Sequence, residues 1–574
     1  MLISQLSEVR LKPNKLLFED TLTVKDKPYL ACYESTNDRF VTLITQDKKD
    51  DEDISNCAKS LRIKASDEYG LHHTKTYYVK PCVLTEVRNK VTDGKVLDHE
   101  KLRREFDQLL TMAIQKDASD IHIFAKPLRA YVMLREYGEL RHYQDYDFGY
   151  INALLSAIYN DLGEESSKDS EFTPHKIQET VIERFIDHKK YRIRFASIPI
   201  VASDAGMNNK LVNPFKATLR ILPIDRPAMK DFSKLGYRKD LIKDIERSMI
   251  ASHGLGIISG AVNEGKSTTL TAMMEYLVKF YPHKHIVTIE SPVENFIHAD
   301  TVAQHPVHTS VDKSEAELQK LYKISQNAAL RSDINIVCQN EIRNEDTAKF
   351  SQLIVQSGHL FLSTVHAQSA LNIVNRLEAL GVERDILCSP SFIKILIHQA
   401  LLQKLCPSCK IPYDEFDQQT SMSDFSGLRE RLDSVLKHYQ IQPKYKSSIY
   451  FRNHQGCSKC SKGIIGQTVV AEIVQPSSQL IALLAKKEHL KAYIAWREGG
   501  GINIKEDGIL KVVKGEVCAS SLEMKLGAID ENTLDDLVDM SKIKSNMHDY
   551  LQEHPISKLG QVKTTQAPRE GRHV

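Results

Sequence analysis

Gly260-Ala-Val-Asn-Glu-Gly265-Lys266-Ser267 is the stretch from which the rest of the chain is read. It follows an apolar run, Leu255 to Ile258, and leads into a helical pattern from Thr268 to Phe280. Two glycines let the backbone wrap so that its N–H groups converge on an anion, and the following helix adds the positive end of its dipole. Gly260, Asn263, Glu264, Gly265, Lys266, Ser267 and Thr268 are therefore expected to cradle the phosphates of a nucleoside triphosphate such as ATP. In such loops the lysine reaches the terminal phosphates and the hydroxyl holds Mg²⁺, roles that fall to Lys266 and Ser267. A glycine turn before an ordinary helix is the alternative, and it leaves Lys266 without a purpose.

The 574 residues allow roughly three or four domains with large buried cores. Hydrophobic content of 41% and charged content of 26% describe an ordinary soluble protein, and a net charge of +2 argues against a dominant polyanion-binding surface, so no nucleic-acid partner is expected. No run reaches the eighteen or so apolar residues of a membrane helix, and the start is broken by Glu8 and Arg10. The expected location is cytoplasmic, at most peripheral to a membrane.

Ten cysteines are too few for a secreted disulfide framework in a chain of this size. Four of them form two Cys-x-x-Cys knuckles, Cys406-Pro-Ser-Cys409 and Cys457-Ser-Lys-Cys460, with 47 residues between. A thiolate quartet at 406, 409, 457 and 460 suits tetrahedral Zn²⁺, and a closed four-sulfur shell is structural because no position remains for water. Redox pairs are the runner-up, without a thioredoxin-like context.

Residues 1 to about 95 read as a small α/β or mostly β module, with the charge run Lys48 to Asp53 as a solvated loop. A helical stripe from Glu100 to Lys116 opens a second domain, 96–228, followed by alternating strands at Ile121, Tyr131 to Leu134, Tyr191 to Phe195 and Ala217 to Leu222. Arg192 and Arg194 share one strand face, and Arg220 lies on a further strand. By themselves these strands favour arginines on a solvated face. After a linker near Pro223 to Pro227, strand and helix patterns alternate through 229–550, which argues for a mostly parallel sheet with helices on both sides and a ligand site beyond the strands' carboxyl ends. Residues 551–574 are expected to form a disordered tail.

Two apolar strands end in carboxylates, Ile286 to Glu290 with Glu294 beyond a proline turn, and Ile334 to Glu341 with Arg343 following. Together they fit the acids a nucleotide-hydrolysing site needs. His359 and His366 flank another apolar strand, at its entrance and beyond its carboxyl end, and their odd spacing argues against a shared metal. A lone histidine is more often a structural hydrogen-bonding residue.

In combination these pieces resemble the secretion ATPase superfamily that powers type II secretion and type IV pilus assembly. The resemblance runs from about Asp117 to about Gly515. It rests on Ala118-Ser-Asp-Ile-His122, the phosphate loop, Glu290 to Glu294, Ala329-Leu-Arg-Ser-Asp333 leading to Glu341-Ile-Arg343, and Gly358-His359 to His366. The cysteine quartet and Glu506-Asp-Gly508-Ile-Leu-Lys511 to Gly515 complete it.

The fold it implies is α/β: a RecA-like P-loop ATPase domain, preceded by a PAS-like α+β domain and a small N-terminal docking module, with a zinc-bound insertion at 406–460. It implies that Lys266, Ser267 and Glu290 serve nucleotide and Mg²⁺, that Glu294 activates water, and that Glu341 supports Mg²⁺ and water. His359 and His366 would sense the γ-phosphate, while Arg194 and Arg220 would approach the nucleotide from the second domain, reversing the solvated-face reading for those two. Such enzymes resemble homo-hexameric motors acting through an inner-membrane platform protein, with a membrane-anchored docking partner in some relatives.

Several positions depart from that pattern. Asn263-Glu264 stands for Gly-Ser, Ser291 for Asp, Asn340 for Gly, and Ala400 and Gln403 for arginines. They suggest a divergent branch, such as a type IVb or plasmid thin-pilus system, and Glu264 is expected to point away from the cradle or to slow binding. Alternatives are a nucleotide-binding scaffold with little turnover, a retraction motor, and a conjugation-type ring ATPase.

Overall fold

The computed structural model describes residues 2–3, 13–19, 30–35, 39–69, 72–80, 99–126, 129–164, 168, 171–201, 213–224, 231–291, 293–307, 315–416, 427–531 and 534–553. Of the tail expected over 551–574, Leu551 to Glu553 instead end the helix Ser541–Glu553, where Leu551 is buried against the core; positions from 554 onward, Pro292 and linker positions 225–227 lie outside the described residues. The chain divides into two compact units, residues 1–106 and 107–574.

In the first unit, β1 (Leu2–Ile3), β2 (Pro13–Glu19), β3 (Leu30–Ser35), β4 (Arg39–Thr45) and β5 (His72–Val79) form one sheet in the order β1-β5-β4-β3-β2. Strands β4 and β5 are parallel, which requires a crossover, and the helix Glu52–Tyr69 supplies it. Leu30, Ile44, Ile54 and Ala58 pack between helix and sheet. The charge run Lys48 to Asp53 is therefore more than a solvated loop. Asp51 Oδ1 accepts the Ile54 N–H at 3.2 Å as an N-cap, and Glu52 and Asp53 complement the dipole in the first turn.

In the helix His99–Gln115, Leu102, Phe106, Leu109, Leu110 and Ala113 are buried along the stripe that periodicity predicts. Next come β6 (Ala118–Ala125), β7 (Ala130–Glu136), β8 (Glu139–Tyr146), β9 (Gln178–Ile186), β10 (Lys189–Pro199) and β11 (Phe215–Pro223). They form an antiparallel sheet in the order β8-β7-β6-β11-β10-β9. Tyr191, Ile193 and Phe195 are buried on one face. Arg192 and Arg194 take the other, with Arg194 directly opposite Arg220.

The largest sheet holds β12 (Gly254–Ser259), β13 (Ile286–Glu290), β14 (Val302–Pro306), β15 (Ile336–Gln339), β16 (Leu360–Val365) and β17 (Ile393–Leu405). A two-stranded ribbon of β18 (Ile411–Pro412) and β19 (Tyr450–Phe451) precedes its last strand, β20 (Ile464–Val474). The order is β14-β13-β15-β16-β12-β17-β20, parallel except for the β17–β20 pair. Near-continuous apolar strands such as Leu255 to Ile258 suit a sheet covered on both faces. Among the described residues, no helix is long and apolar enough to cross a membrane.

The motif Glu506 to Gly515 anchors this unit from inside. Arg238 Nη1 meets Asp507 Oδ1 at 2.8 Å with both side chains 1% exposed, and Arg497 pairs with Glu506 at 2.5 Å at full burial. Asp507 Oδ2 also accepts the Ala471 N–H of β20 at 2.8 Å, and Lys511 Nζ donates to the Gly236 carbonyl at 2.5 Å. Removing one partner of such a pair strands a buried charge. Arg238→Met is expected to destabilise the second unit by about 3–5 kcal/mol, read as a lower urea midpoint.

Candidate functional site

Strand β12 ends at Ser259, and the chain leaves the sheet through Gly260 at φ 154° and Asn263 at φ 66°, entering the helix Lys266–Phe280 at Gly265 with φ 73°. A Cβ at Gly260 would lie 2.5 Å from the Gln399 carbonyl, so only glycine passes so close to β17. Lys266 Nζ donates to the carbonyls of Gly260 at 2.8 Å and Ala261 at 2.7 Å. Burial lowers its pKa, against the opposing fields of Glu341 and Glu264. Ser267 and Thr268 occupy the first helical turn.

Glu264 is 4% exposed, and its carboxylate is occupied outside the loop. Oε2 accepts the Leu401 N–H at 2.6 Å and Oε1 pairs with Lys525. Strand β17 continues past the point where β12 turns away, since its pairing with β12 ends at Ser259↔His398. There the carboxylate takes the place of a neighbouring strand for Leu401. Gln399 completes the brace, donating to the Glu264 carbonyl at 2.6 Å and accepting from the Tyr237 hydroxyl at 2.5 Å.

The two acidic strand ends converge near the loop. Ser267, Glu290, Glu294, Asn295, Cys338 and Asn340 line one recess beside it. Glu290 is 8% exposed and accepts from Thr288 Oγ1 at 2.7 Å and Gln304 Nε2 at 3.1 Å. Burial raises its pKa despite these bonds. Glu341 Oε2 accepts from Arg343 Nε at 2.9 Å, and its Oε1 lies 3.2 Å from His366 Nε2. His366 Nδ1 is 3.0 Å from the Gly260 carbonyl. His366 thus bridges the phosphate loop and Glu341. His359 does not join them. It precedes β16, whose register pairs Leu360 with Gly254 and Val365 with Ser259, so the strand's six residues place it roughly 20 Å from the loop end of the sheet. Its ring instead meets Ser357 Oγ at 3.0 Å.

The six-stranded sheet brings its arginines to the same place. Arg194 Nη2 lies 3.7 Å from Glu294 Oε1, and its Nε and Nη2 are buried with no hydrogen-bond partner among the described residues. Arg220 Nε donates to Asp120 Oδ1 at 2.9 Å, and Asp120 is 1% exposed. The motif Ala118 to His122 therefore aims Arg220. Arg192, to which the sequence assigned no role, donates to the Val293 carbonyl at 3.4 Å and to Glu183 at 3.0 Å. Its position one alternation from Arg194 was the available signal.

Cys406, Cys409, Cys457 and Cys460 have sulfurs within 4.8 Å of one another. The pairs 406–457, 409–460 and 457–460 are 3.8, 3.7 and 3.6 Å apart. A tetrahedron with ~2.3 Å metal–sulfur bonds has edges of about 3.8 Å, so the quartet can hold one metal ion. The N–H groups of Cys457 and Gly463 point at Cys460 Sγ at 3.2 and 3.3 Å.

Beside the second knuckle sits the β7–β8 turn. Glu139 accepts from Arg452 Nη1 and Nη2 at 2.7 and 3.1 Å, from Gln403 Nε2 at 3.0 Å and from Arg141 Nη2 at 2.9 Å. Gln403 Oε1 accepts from Arg452 at 3.2 Å, which an arginine at position 403 could not do. Burial would raise the Glu139 pKa, but these donors hold it at about 2, below the ordinary 4.5. Its stabilising contribution is thus complete above about pH 4.5 and lost as pH falls toward 2. The melting-temperature advantage of the native protein over Glu139→Gln is expected to shrink between about pH 6 and about pH 3.

A family model described as "Type II/IV secretion system protein" matches residues 95–531. The chain is 26% identical over 421 residues to the type II secretion system protein E of Pseudomonas aeruginosa, covering 73% of this chain and 74% of that one. It is 26% identical over 452 residues to the type IV pilus assembly ATPase PilB of Thermus thermophilus, covering 76% of this chain and 45% of that one. The Legionella pneumophila ATPase DotB shares its fold at a TM-score of 0.50 and 17% identity, over 73% of this chain and 94% of that structure. With its mostly parallel sheet, glycine loop and cysteine quartet in place, the chain belongs to the type II/IV secretion system protein family of secretion ATPases.

Proposed function

We propose that this chain is an ATP-hydrolysing motor subunit that works as a homo-hexamer on an inner-membrane platform protein to drive pilin polymerisation or protein secretion. The observation that carries the reading is the convergence of Lys266, Ser267, Glu294 and Glu341 with Arg194, whose Nη2 lies 3.7 Å from Glu294 and whose buried Nε and Nη2 make no hydrogen bond among the described residues. Unsatisfied buried donors are costly unless an anion completes them, and a phosphoryl group supplies the oxygens they need.

On this reading the loop N–H groups and Lys266 bind the phosphates. Mg²⁺ held through Ser267 would neutralise charge on the β- and γ-oxygens. Glu294 orients and deprotonates the attacking water, and Arg194, 3.7 Å from its carboxylate, meets charge that develops on the γ-phosphoryl. Glu341 and His366 report to the loop through Gly260. The domain scheme is a docking module at 1–95, a PAS-like domain at 96–228 and a RecA-like ATPase domain at 229–550. The quartet at 406–460 takes structural Zn²⁺, and the protein works in the cytoplasm against the membrane through partners. The outward-turned Glu264 supports catalytic competence despite the departure at that position.

Lys266→Ala is expected to abolish phosphate release by purified protein, and Glu294→Gln to lower kcat by about 10²-fold or more while ATP still binds. Unchanged turnover in Lys266→Ala would sink the motor reading. ATP binding by unaltered protein without phosphate release would leave the scaffold reading in its place. Metal analysis is expected to return one zinc per chain, and zinc-free protein that keeps its knuckle structure would overturn that assignment.

A further inference from the structure

We propose that the second cysteine knuckle anchors the six-stranded sheet, and that Glu136, Glu139, Arg141, Gln403, Arg452 and Ser461 are positioning residues that set the approach of Arg194 to Glu294. The proposal rests on the reading of Arg194 as facing nucleotide.

The sheet touches the ATPase body near its two ends. At β10, Arg194 and Arg192 meet Glu294 and the Val293 carbonyl. At the β7–β8 turn, Glu139 lies between Arg452 and Arg141, and Gln403 Nε2 also donates to the Tyr137 carbonyl at 3.0 Å. Ser461, the residue after Cys460, donates to Glu136 and lies against Arg141. Arg452 Nε donates to the Lys462 carbonyl at 2.9 Å. The turn that presents Ser461 and Lys462 is itself fixed by the quartet. Cys460 Sγ accepts from Gly463, and Cys406 N–H donates to the Gly463 carbonyl at 2.8 Å.

Burial makes this contact selective. The side chains of Arg452, Arg141 and Glu136 are 4%, 9% and 5% exposed, so each charge is desolvated only with its partners in place. Buried networks of this kind rigidify when complete and fail when one member leaves. Strand β10 lies four strand steps from β8, roughly 19 Å across the sheet. A few degrees of rocking at the knuckle therefore moves Arg194 by more than an ångström. Through the turn 460–464, closure of the cysteine site is converted into the position of a cation at the nucleotide.

The test is hydrogen–deuterium exchange on the full-length protein with metal content measured in parallel. Arg452→Met is expected to keep its metal, to raise exchange about tenfold in residues 136–141 and in the segment around Val293, and to lower kcat for ATP more than it changes KM. Glu139→Gln, which keeps shape and loses charge, should do the same to a smaller degree. Metal removal by chelation is expected to raise exchange in residues 136–141 as well as in 457–463. If the metal-free protein loosens only at 457–463, or if Arg452→Met frees the hairpin without touching the Val293 segment, the anchorage is overturned. The exchange results decide this even if unaltered protein hydrolyses no ATP, an outcome that would count against the motor reading alone.

Discussion

Gln399 ties the glycine loop to β17, a strand that also reaches the six-stranded sheet and the cysteines. Its amide donates to the Glu264 carbonyl and accepts from Tyr237, which in turn lies 3.0 Å from Thr269 Oγ1 on the loop's helix. Four residues on, Gln403 meets the β7–β8 turn, and three residues further the first knuckle begins at Cys406. An extended strand does not stretch, so these three attachments keep fixed spacings of about 3.3 Å per residue. The cradle, the foot of the six-stranded sheet and the cysteine site are thus registered on one rigid ruler.

That ruler also gives the acid in the loop a structural place. An acid in a phosphate cradle is an electrostatic fault if it faces the ligand. Here the same acid serves an N–H that β12 abandons and takes Lys525 as its counter-ion, so the charge is spent on the frame. Gln403 shows the same logic. With Arg452 supplying the cation for Glu139, position 403 needs a group that donates and accepts at once.

The local features of this chain were legible because they depend on neighbours in sequence. Apolar runs followed by Glu290 and Glu341 located strand ends, the glycine spacing located the loop, and Cys-x-x-Cys located the quartet. Features made by residues a hundred or more positions apart were not. Nothing near Arg192 announces Val293, and nothing near Glu264 announces Leu401 or Lys525. One local feature was hidden as well: the charge run Lys48 to Asp53 holds a helix cap within an apparent loop. His359 shows a different limit. A motif that places two histidines around a strand puts them at opposite ends of it, and a parallel sheet gathers only one end beside the glycine loop. The motif at 506–515 carried the resemblance without a role of its own, and the structure gives its charged residues one: they are buried props for β20 and for Gly236.

The pairing of β17 with β20 brings Leu405 opposite Ile464, so the long excursion between them leaves and re-enters the sheet at one point. A detour with adjacent ends is a cassette: replacing it by a two-residue hairpin would leave both strands in register. Its side chains are nonetheless shared with the rest of the unit: Tyr413, Leu428, Leu432, Tyr439 and Phe451 lie in one core with Ile509, Leu510 and Leu522. Excising the excursion would therefore bare that core as well as remove Arg452 and Ser461 from the foot of the six-stranded sheet.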